Sequence, residues 1–571
     1  MSTLDWIILV LTLAFIVIYG MWKSRNTANI STYLLADRQL PWYHVGLSVM
    51  ATQASAITFL SAPGQGYSDG LRFVQFYFGL PLAMIFLCVF FIPVFHRLKV
   101  FTAYEFLEQR FDGRTRSLTA FLFLLQRGLS TGITIYAPAI ILSTILQLDI
   151  AVTILFNGLL VIIYTMYGGT KAVSYTQVLQ MSVIFAGLFI AAFTVIQLLP
   201  ANIGFQEALQ IAGKNGKLKA VDTSFDLNNR YNLWSGLIGG FFLQLSYFGT
   251  DQSQVGRYLT GSSVKQSRLG LLMNGMVKIP MQFLILLIGT LVFTFYQFNQ
   301  PPLFFNAVAL QKLEKAAGEE TKLLKERQNY LYQEKSKHSF ELIDALKKED
   351  EVKVAQLRTE FKKEDSLAKT IHSDIQKLMK KHVPLADSND SNYVFLDFIV
   401  NKLPKGLVGL LMAIIFLAAM GSTASGMNSL ASATVIDFYK RYTKKEKSDK
   451  EMLSASRGFT LAWGLFCIAV AFFASKLGNL IEAVNILGSL FYGTILGIFM
   501  VAFFMKKVGG KSVFLAACIT EVFVVLSWWQ DLTAFLWLNL IGCLLLMLLA
   551  ALIQFFRNRF QNPPLAQERL S

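Results

Sequence analysis

Runs of about twenty apolar residues recur along almost the whole chain. At a 1.5 Å rise per residue, such a run spans the ~30 Å hydrocarbon core of a bilayer as one helix. Thirteen segments qualify: 4–22, 43–62, 73–96, 118–145, 150–168, 174–199, 233–251, 272–298, 404–437, 456–475, 480–505, 512–528 and 531–555. Backbone polar groups in lipid must be satisfied inside the segment, which selects helices. The expected fold class is an all-α membrane protein with about thirteen transmembrane helices. Only 15% of residues are charged, against about 25% in soluble chains, which argues against a cytosolic enzyme or a disordered chain. The first segment is too long for a signal peptide and lacks a small-residue cleavage site. It reads as a helix whose start, Ser2-Thr3-Leu4-Asp5, carries capping residues.

Basic residues test the segment count. With the N-terminus outside, the inside loops carry 25 Lys/Arg and the short outside loops six. That bias predicts the N-terminus outside and the C-terminus in the cytoplasm of a plasma (inner) membrane protein. The net charge of +16 therefore reads as an orientation signal, and no nucleic-acid partner is expected. Residues 311–382 break the pattern, with 31 charges in 72 positions. This region, within 303–395, reads as an outside helical hairpin inserted between the eighth and ninth segments. Leu342, Ala345, Leu346, Val354, Leu357 and Phe361 recur at helical spacing, and the turn is expected at Ser336–Ser339. No partner is assigned to it. The four cysteines sit in apolar runs and form neither a metal set nor a disulfide framework. The five histidines show no H-E-x-x-H pairing, and Gly168-Gly169-Thr170-Lys171 lacks the rest of a phosphate loop.

Two segments look interrupted by hydroxyls and amides: Ser48 to Thr58, followed by Pro63-Gly64-Gln65-Gly66, and Gly239-Gly240 onward to Gln254. Broken helices in the two halves of a chain point to a transporter's central site, although small and hydroxyl residues also line ordinary helix interfaces. In a third segment, Ser422, Ser425, Ser429 and Ser432 share one helical face and can offer oxygens to a hard cation.

These stretches resemble the sodium:solute symporter family. The resemblance rests on Ser48–Gly70, Tyr167–Ser174, Gly249-Thr250-Asp251-Gln252 with Arg257-Tyr258-Leu259, Ala418–Arg441, and Val484–Gly493, in order and at the right segments. It covers about residues 1–300 and 393–560. It implies a LeuT-type 5+5 inverted repeat with extra N- and C-terminal helices. The division would be 1–42, an extra helix and inside loop; 43–199, the first repeat; 200–302, the start of the second; 303–395, the insertion; 396–508, the rest of the second; and 509–571, two further helices and a short inside tail. The implied activity is alternating-access symport, in which Na⁺ entry drives uptake of a small organic solute or anion.

The resemblance also implies residues. The family's common Na⁺ site maps onto the carbonyls of Ala51, Ala54 and Ala418 and the side chains at 421 and 422. Ser422 matches, while Gly421 lacks the expected hydroxyl. Thr423 and Ser425 are further oxygens on that stretch, although Thr423 points about 100° away from 422. Gln177 stands where many members have an aspartate, and Ala424 lacks a hydroxyl that a second site would use. One Na⁺ is therefore expected rather than two, with no organic cofactor. Solute contacts are implied at Gln53, Thr58, Gln75, Tyr77, Tyr247, Asp251 and Gln252. Asp251 has the alternative of capping a helix or pairing with Arg257. A glutamate and a serine of the sugar-transporting members align with Tyr77 and Leu80, which makes a hexose the weaker expectation. The stretch around Ser55–Phe59 is more similar to the branch that carries monocarboxylates, vitamins and iodide. Beside symport stand a proton-coupled or ion-independent transporter of the same fold, a transporter-derived sensor, and a channel. No nucleophile–base pair or metal set inside the segments suggests an enzyme.

Overall fold

The computed structural model describes residues 1–23, 35–384, 387, 389–443 and 448–561. The side chains of 167–172, within the quoted stretch Tyr167–Ser174, lie outside the described set. So do Arg25, Lys444, Lys445, Lys447 and Arg569, which entered the charge count. Among the described residues every regular element is helical, apart from one isolated bridge between Leu40 and Gly261. Nine helical stretches among the described residues are long and apolar enough to cross a membrane.

In chain order the principal helices are α1 (Thr3–Lys23), α2 (Trp42–Gln53), α3 (Ala56–Asp69), α4 (Leu80–Leu98), α5 (Gly113–Leu146), α6 (Ile150–Gln197), α7 (Gly240–Thr250), α8 (Gln252–Tyr258) and α9 (Val264–Phe298). They continue with α10 (Gly318–Lys347), α11 (Glu351–His382), α12 (Leu407–Ala433), α13 (Asp449–Ala471), α14 (Leu480–Phe504), α15 (Gly510–Trp529) and α16 (Phe535–Gln561). Several starts are set by side-chain caps. Asp112 accepts from the Thr115 N–H at 2.8 Å, and Ser448 and Glu451 form a reciprocal capping box. The 48-residue α6 is not one rod. The Tyr164 and Thr176 hydroxyls lie 3.2 Å apart, whereas twelve residues of straight helix would separate them by about 18 Å.

The helix α12 lies at the centre, with 83% of its most apolar window buried. Its polar face therefore meets protein rather than lipid. The Asp5 carboxylate of α1 accepts from the Gly406 and Gly409 N–H groups at 2.6 and 3.2 Å, capping α12 from another helix. Gly406 adopts φ +89°, which only glycine enters without strain.

The charged insertion forms two long helices, α10 and α11, but the turn is not at Ser336–Ser339. That stretch lies inside α10, where the Ser339 hydroxyl donates to the Lys335 carbonyl at 2.8 Å and is satisfied within the helix. The chain turns at 348–350 instead. Glu349 takes φ +55°, and Asp350 caps α11 through the Lys353 N–H at 3.0 Å. Leu342, Ala345, Val354, Leu357 and Phe361 are buried where the two helices meet. The hairpin rests on the bundle through the Tyr332 hydroxyl, which donates to the Phe298 carbonyl at 2.8 Å, and through His372 and Asp390 at 3.3 Å.

Candidate functional site

The first break falls at Ala54-Ser55, between α2 and α3. The Ser55 N–H turns back to Gln53, and the Thr58 N–H to Ser55. Neither Ala51 nor Ala54 therefore receives the i+4 donor of a continuous helix, and both carbonyls, on buried residues, are released for other ligands. The second break falls at Asp251, whose ψ of 118° separates α7 from α8. The Asp251 carboxylate caps α8, accepting from the Ser253 N–H at 2.8 Å and the Ser253 hydroxyl at 2.6 Å.

A cavity of about 80 Å³ opens beside these breaks, walled by α3, α5, α7 and α14. Of the residues singled out for solute, Gln53, Thr58, Tyr77 and Tyr247 line it. Gln75, Asp251 and Gln252 do not. Gln75 bridges the Tyr231 carbonyl and the Asp222 N–H, and Gln252 bridges the Phe101 carbonyl and the Ala103 N–H. Asp251 pairs with Arg127 of α5 rather than with Arg257, because the break aims its carboxylate across the cavity wall. The Tyr492 hydroxyl completes that cluster, donating to Asp251 at 2.8 Å and accepting from Arg127 at 3.2 Å. The guanidinium also lies 5.4 Å from the Tyr247 ring centroid, and its buried Nε has no hydrogen-bond partner among the described residues.

A second basic side chain stands behind the wall. Lys278 of α9 is fully buried, and its ammonium lies 5.7 Å from the centroid of the Tyr77 ring that lines the cavity. It has neither an ion pair nor a hydrogen-bond partner among the described residues. Arg127 and Lys278 went unnamed in the sequence reading, although both fall inside apolar segments, where a charge is costly unless used.

The oxygens singled out for a cation lie along α12. The Ser422 hydroxyl, half-buried, donates to the Ala418 carbonyl at 2.9 Å and the Ala419 carbonyl at 3.2 Å. Thr423 and Ala418 are buried, and Ser425 faces α2, 3.2 Å from the Thr52 hydroxyl. A Cβ at Gly421 would lie 2.5 Å from the Gln180 Oε1. That oxygen is buried with no hydrogen-bond partner among the described residues. Gln180 was also missed; its only sequence signal is an amide inside an apolar run, one turn beyond Gln177.

Comparison with known proteins places this geometry. The sequence profile of the "Sodium:solute symporter family" matches residues 33–319 and 377–520. The human "Sodium/iodide cotransporter" is 33% identical over 45% of this chain and 40% of its own length. The "Sodium-dependent multivitamin transporter" of Oryctolagus cuniculus is 26% identical over 88% of this chain, and "Sodium-coupled monocarboxylate transporter 1" of Xenopus laevis 27% over 86%. Each of these last two matches spans 66% of the relative, so the chain covers less than two thirds of these relatives' lengths. A Na⁺-coupled sialic acid symporter in its substrate-bound outward-open state superposes with a TM-score of 0.74 at 22% identity, covering 97% of this chain and 98% of that one, which establishes a shared fold. These relatives are transporters and not enzymes, and the chain belongs to the sodium:solute symporter family.

Proposed function

We propose that this protein is a Na⁺-coupled symporter that takes up a small monovalent anion by alternating access across the plasma (inner) membrane. The chain crosses thirteen times, and the Lys/Arg excess of one set of loops supports an outside N-terminus and a cytoplasmic C-terminus. The two inverted repeats run from 43 to 199 and from 200 to 508, the second interrupted by the insertion at 303–395. The observation that carries the choice of solute is Lys278. Beside the cavity, the Arg127 charge is balanced by Asp251 while that of Lys278 is balanced by nothing among the described residues. An anion bound beside Lys278 would supply the counter-charge that a buried ammonium needs, which favours a monovalent anion over a cation or a neutral sugar. At an effective dielectric of about 20, a unit charge about 8 Å away contributes about 2 kcal/mol, or about 30-fold in affinity. Gln53, Thr58, Tyr77 and Tyr247 supply the polar and aromatic walls, and Asp251 holds Arg127 in place.

Na⁺ is the cargo that drives the cycle. The carbonyls of Ala51, Ala54 and Ala418 and the Ser422 hydroxyl are its ligands, and the Gln180 Oε1 stands in for the hydroxyl missing at 421. Hard cations want several oxygens, and two released carbonyls with one orphaned amide oxygen fit that demand.

The test is uptake into proteoliposomes of iodide, acetate, a hexose and an amino acid, each with Na⁺ and with choline. Na⁺-dependent uptake of an anion, with its KM raised about 30-fold in Lys278→Gln, is the expected result. Uptake unchanged by choline overturns Na⁺ coupling, and hexose uptake insensitive to Lys278→Gln overturns the anion.

A further inference from the structure

We infer that the side-chain amide of Gln177 occupies, as a built-in surrogate, a second cation position between α2, α6 and α12, so that the chain binds a single Na⁺. This deepens the Na⁺-coupled reading and rests on it. The Gln177 Nε2 lies 3.2 Å from the Thr52 hydroxyl, 3.1 Å from the Ser425 hydroxyl and 3.4 Å from the Gly421 carbonyl. Its Oε1 accepts from the Ser48 hydroxyl at 2.6 Å, and the Gly421 carbonyl, which can only accept, requires the nitrogen end of the amide to face the three oxygens. Ser48, Thr52, Gln177 and Ser425 are all buried.

The Thr52 and Ser425 hydroxyls lie 3.2 Å apart and can hydrogen-bond to each other, but the Gly421 carbonyl can only accept, so the three oxygens together offer more acceptors than donors. An amide NH₂ carries two hydrogens with partial positive charge, and here they are shared among three acceptors from α2 and α12. The amide therefore ties α6 to both helices with no ion to bind and none to release. The position is distinct from the Na⁺ ligands proposed above, which use the Ala51, Ala54 and Ala418 carbonyls and the oxygens of Ser422 and Gln180.

An aspartate at 177 reverses this chemistry. It is one carbon shorter, removes both donors and adds a carboxylate, leaving an ion-sized gap lined by Thr52, Ser425, the Gly421 carbonyl and two carboxylate oxygens. That is a cation site of hard oxygen ligands.

The test is equilibrium binding of ²²Na⁺ to the purified full-length protein, with no solute present, so that the probe is the ion alone. Wild type is expected to bind one Na⁺ per chain with a Hill coefficient of about 1. Gln177→Asp is expected to bind two, with a coefficient between 1 and 2. Two ions on wild type overturn the surrogate, as does one ion on a monodisperse Gln177→Asp protein. If Gln177→Asp does not fold, Gln177→Ser, which removes the amide and leaves a gap lined by the same oxygens, is expected to bind a second Na⁺ more weakly, and a count that stays at one overturns the surrogate. No binding to wild type overturns the Na⁺-coupled reading itself, an outcome separate from the failure of the surrogate alone.

Discussion

Asp251 was the most attractive solute ligand in the sequence, and its surroundings now support a different experiment. Replacing it by asparagine keeps the cap on α8, because asparagine accepts from the Ser253 N–H as well as aspartate does. What is lost is the charge. Arg127, with 12% of its side chain exposed, is then an unpaired buried cation. Removing one partner of a buried pair costs about 3–5 kcal/mol. Arg127 borders the cavity, where water can reach it, so the lower end of that range, ~3 kcal/mol, applies. Arg127→Gln strands the fully buried Asp251 carboxylate and costs at least as much. The double variant, with an amide facing an amide beside the Tyr492 hydroxyl, leaves no charge stranded and is expected to be more stable than either single variant. Equilibrium unfolding in mixed micelles of mild detergent and SDS gives all four stabilities. If Asp251→Asn unfolds like wild type and only raises the KM for solute, Asp251 is a solute ligand and the charge-partner assignment fails.

Gly421→Ala places a Cβ 2.5 Å from the Gln180 Oε1 and must displace it. Apparent Na⁺ affinity is expected to fall about tenfold, the worth of one ligand at ~1–2 kcal/mol, and Gly421→Ser should recover it in a Gln180→Ala background; full affinity in Gly421→Ala would contradict the assignment of Gln180. Replacing 318–382 by a short flexible linker should leave transport largely intact, because none of those residues lines the cavity beside the helix breaks; lost uptake with normal membrane insertion would show that the hairpin takes part. Burial raises the Asp387 carboxyl to about 8 from 3.8. The folded chain then holds a proton that the unfolded chain releases, so this contribution to stability is complete below pH 3.8 and lost as pH rises through about 8. Asp387→Asn should flatten the melting temperature between pH 5 and about 8, and an unchanged slope would mean another group titrates.

Much of the architecture was legible because the bilayer imposes one strong rule, a helix of about twenty apolar residues. The two interruptions were legible for the same reason, since polar residues in such runs need a cause. Individual partners were harder to read. Asp251 meets Arg127 across 124 positions of sequence, and no local pattern carries that distance. The Ser336–Ser339 turn failed because serine is tolerated inside a helix when its hydroxyl returns to the carbonyl one turn back, as Ser339 does. Arg127 and Lys278 were visible as charges inside apolar segments but were treated as part of the span. Only coordinates distinguish a charge that reaches the interface from one that ends against a buried tyrosine ring.

Gln177 and Gln180 bring these points together, because they lie three residues apart and share a face of α6. One amide turns its nitrogen toward Thr52, Ser425 and the Gly421 carbonyl, and the other turns its oxygen toward the space that a side chain at 421 would fill. The loss of a hydroxyl at 421 and the presence of an amide at 177 are therefore coupled. A serine at 421 would run into the Gln180 oxygen, which in the proposed site supplies what the serine would have supplied. In the proposed assignment, two substitutions that read separately as defects in a cation site are one rearrangement: the ligand expected on α12 is supplied from α6, and a neutral donor takes the place of a second cation. Restoring serine at 421 without removing the Gln180 side chain should therefore weaken Na⁺ binding, the opposite of what a missing-ligand argument expects.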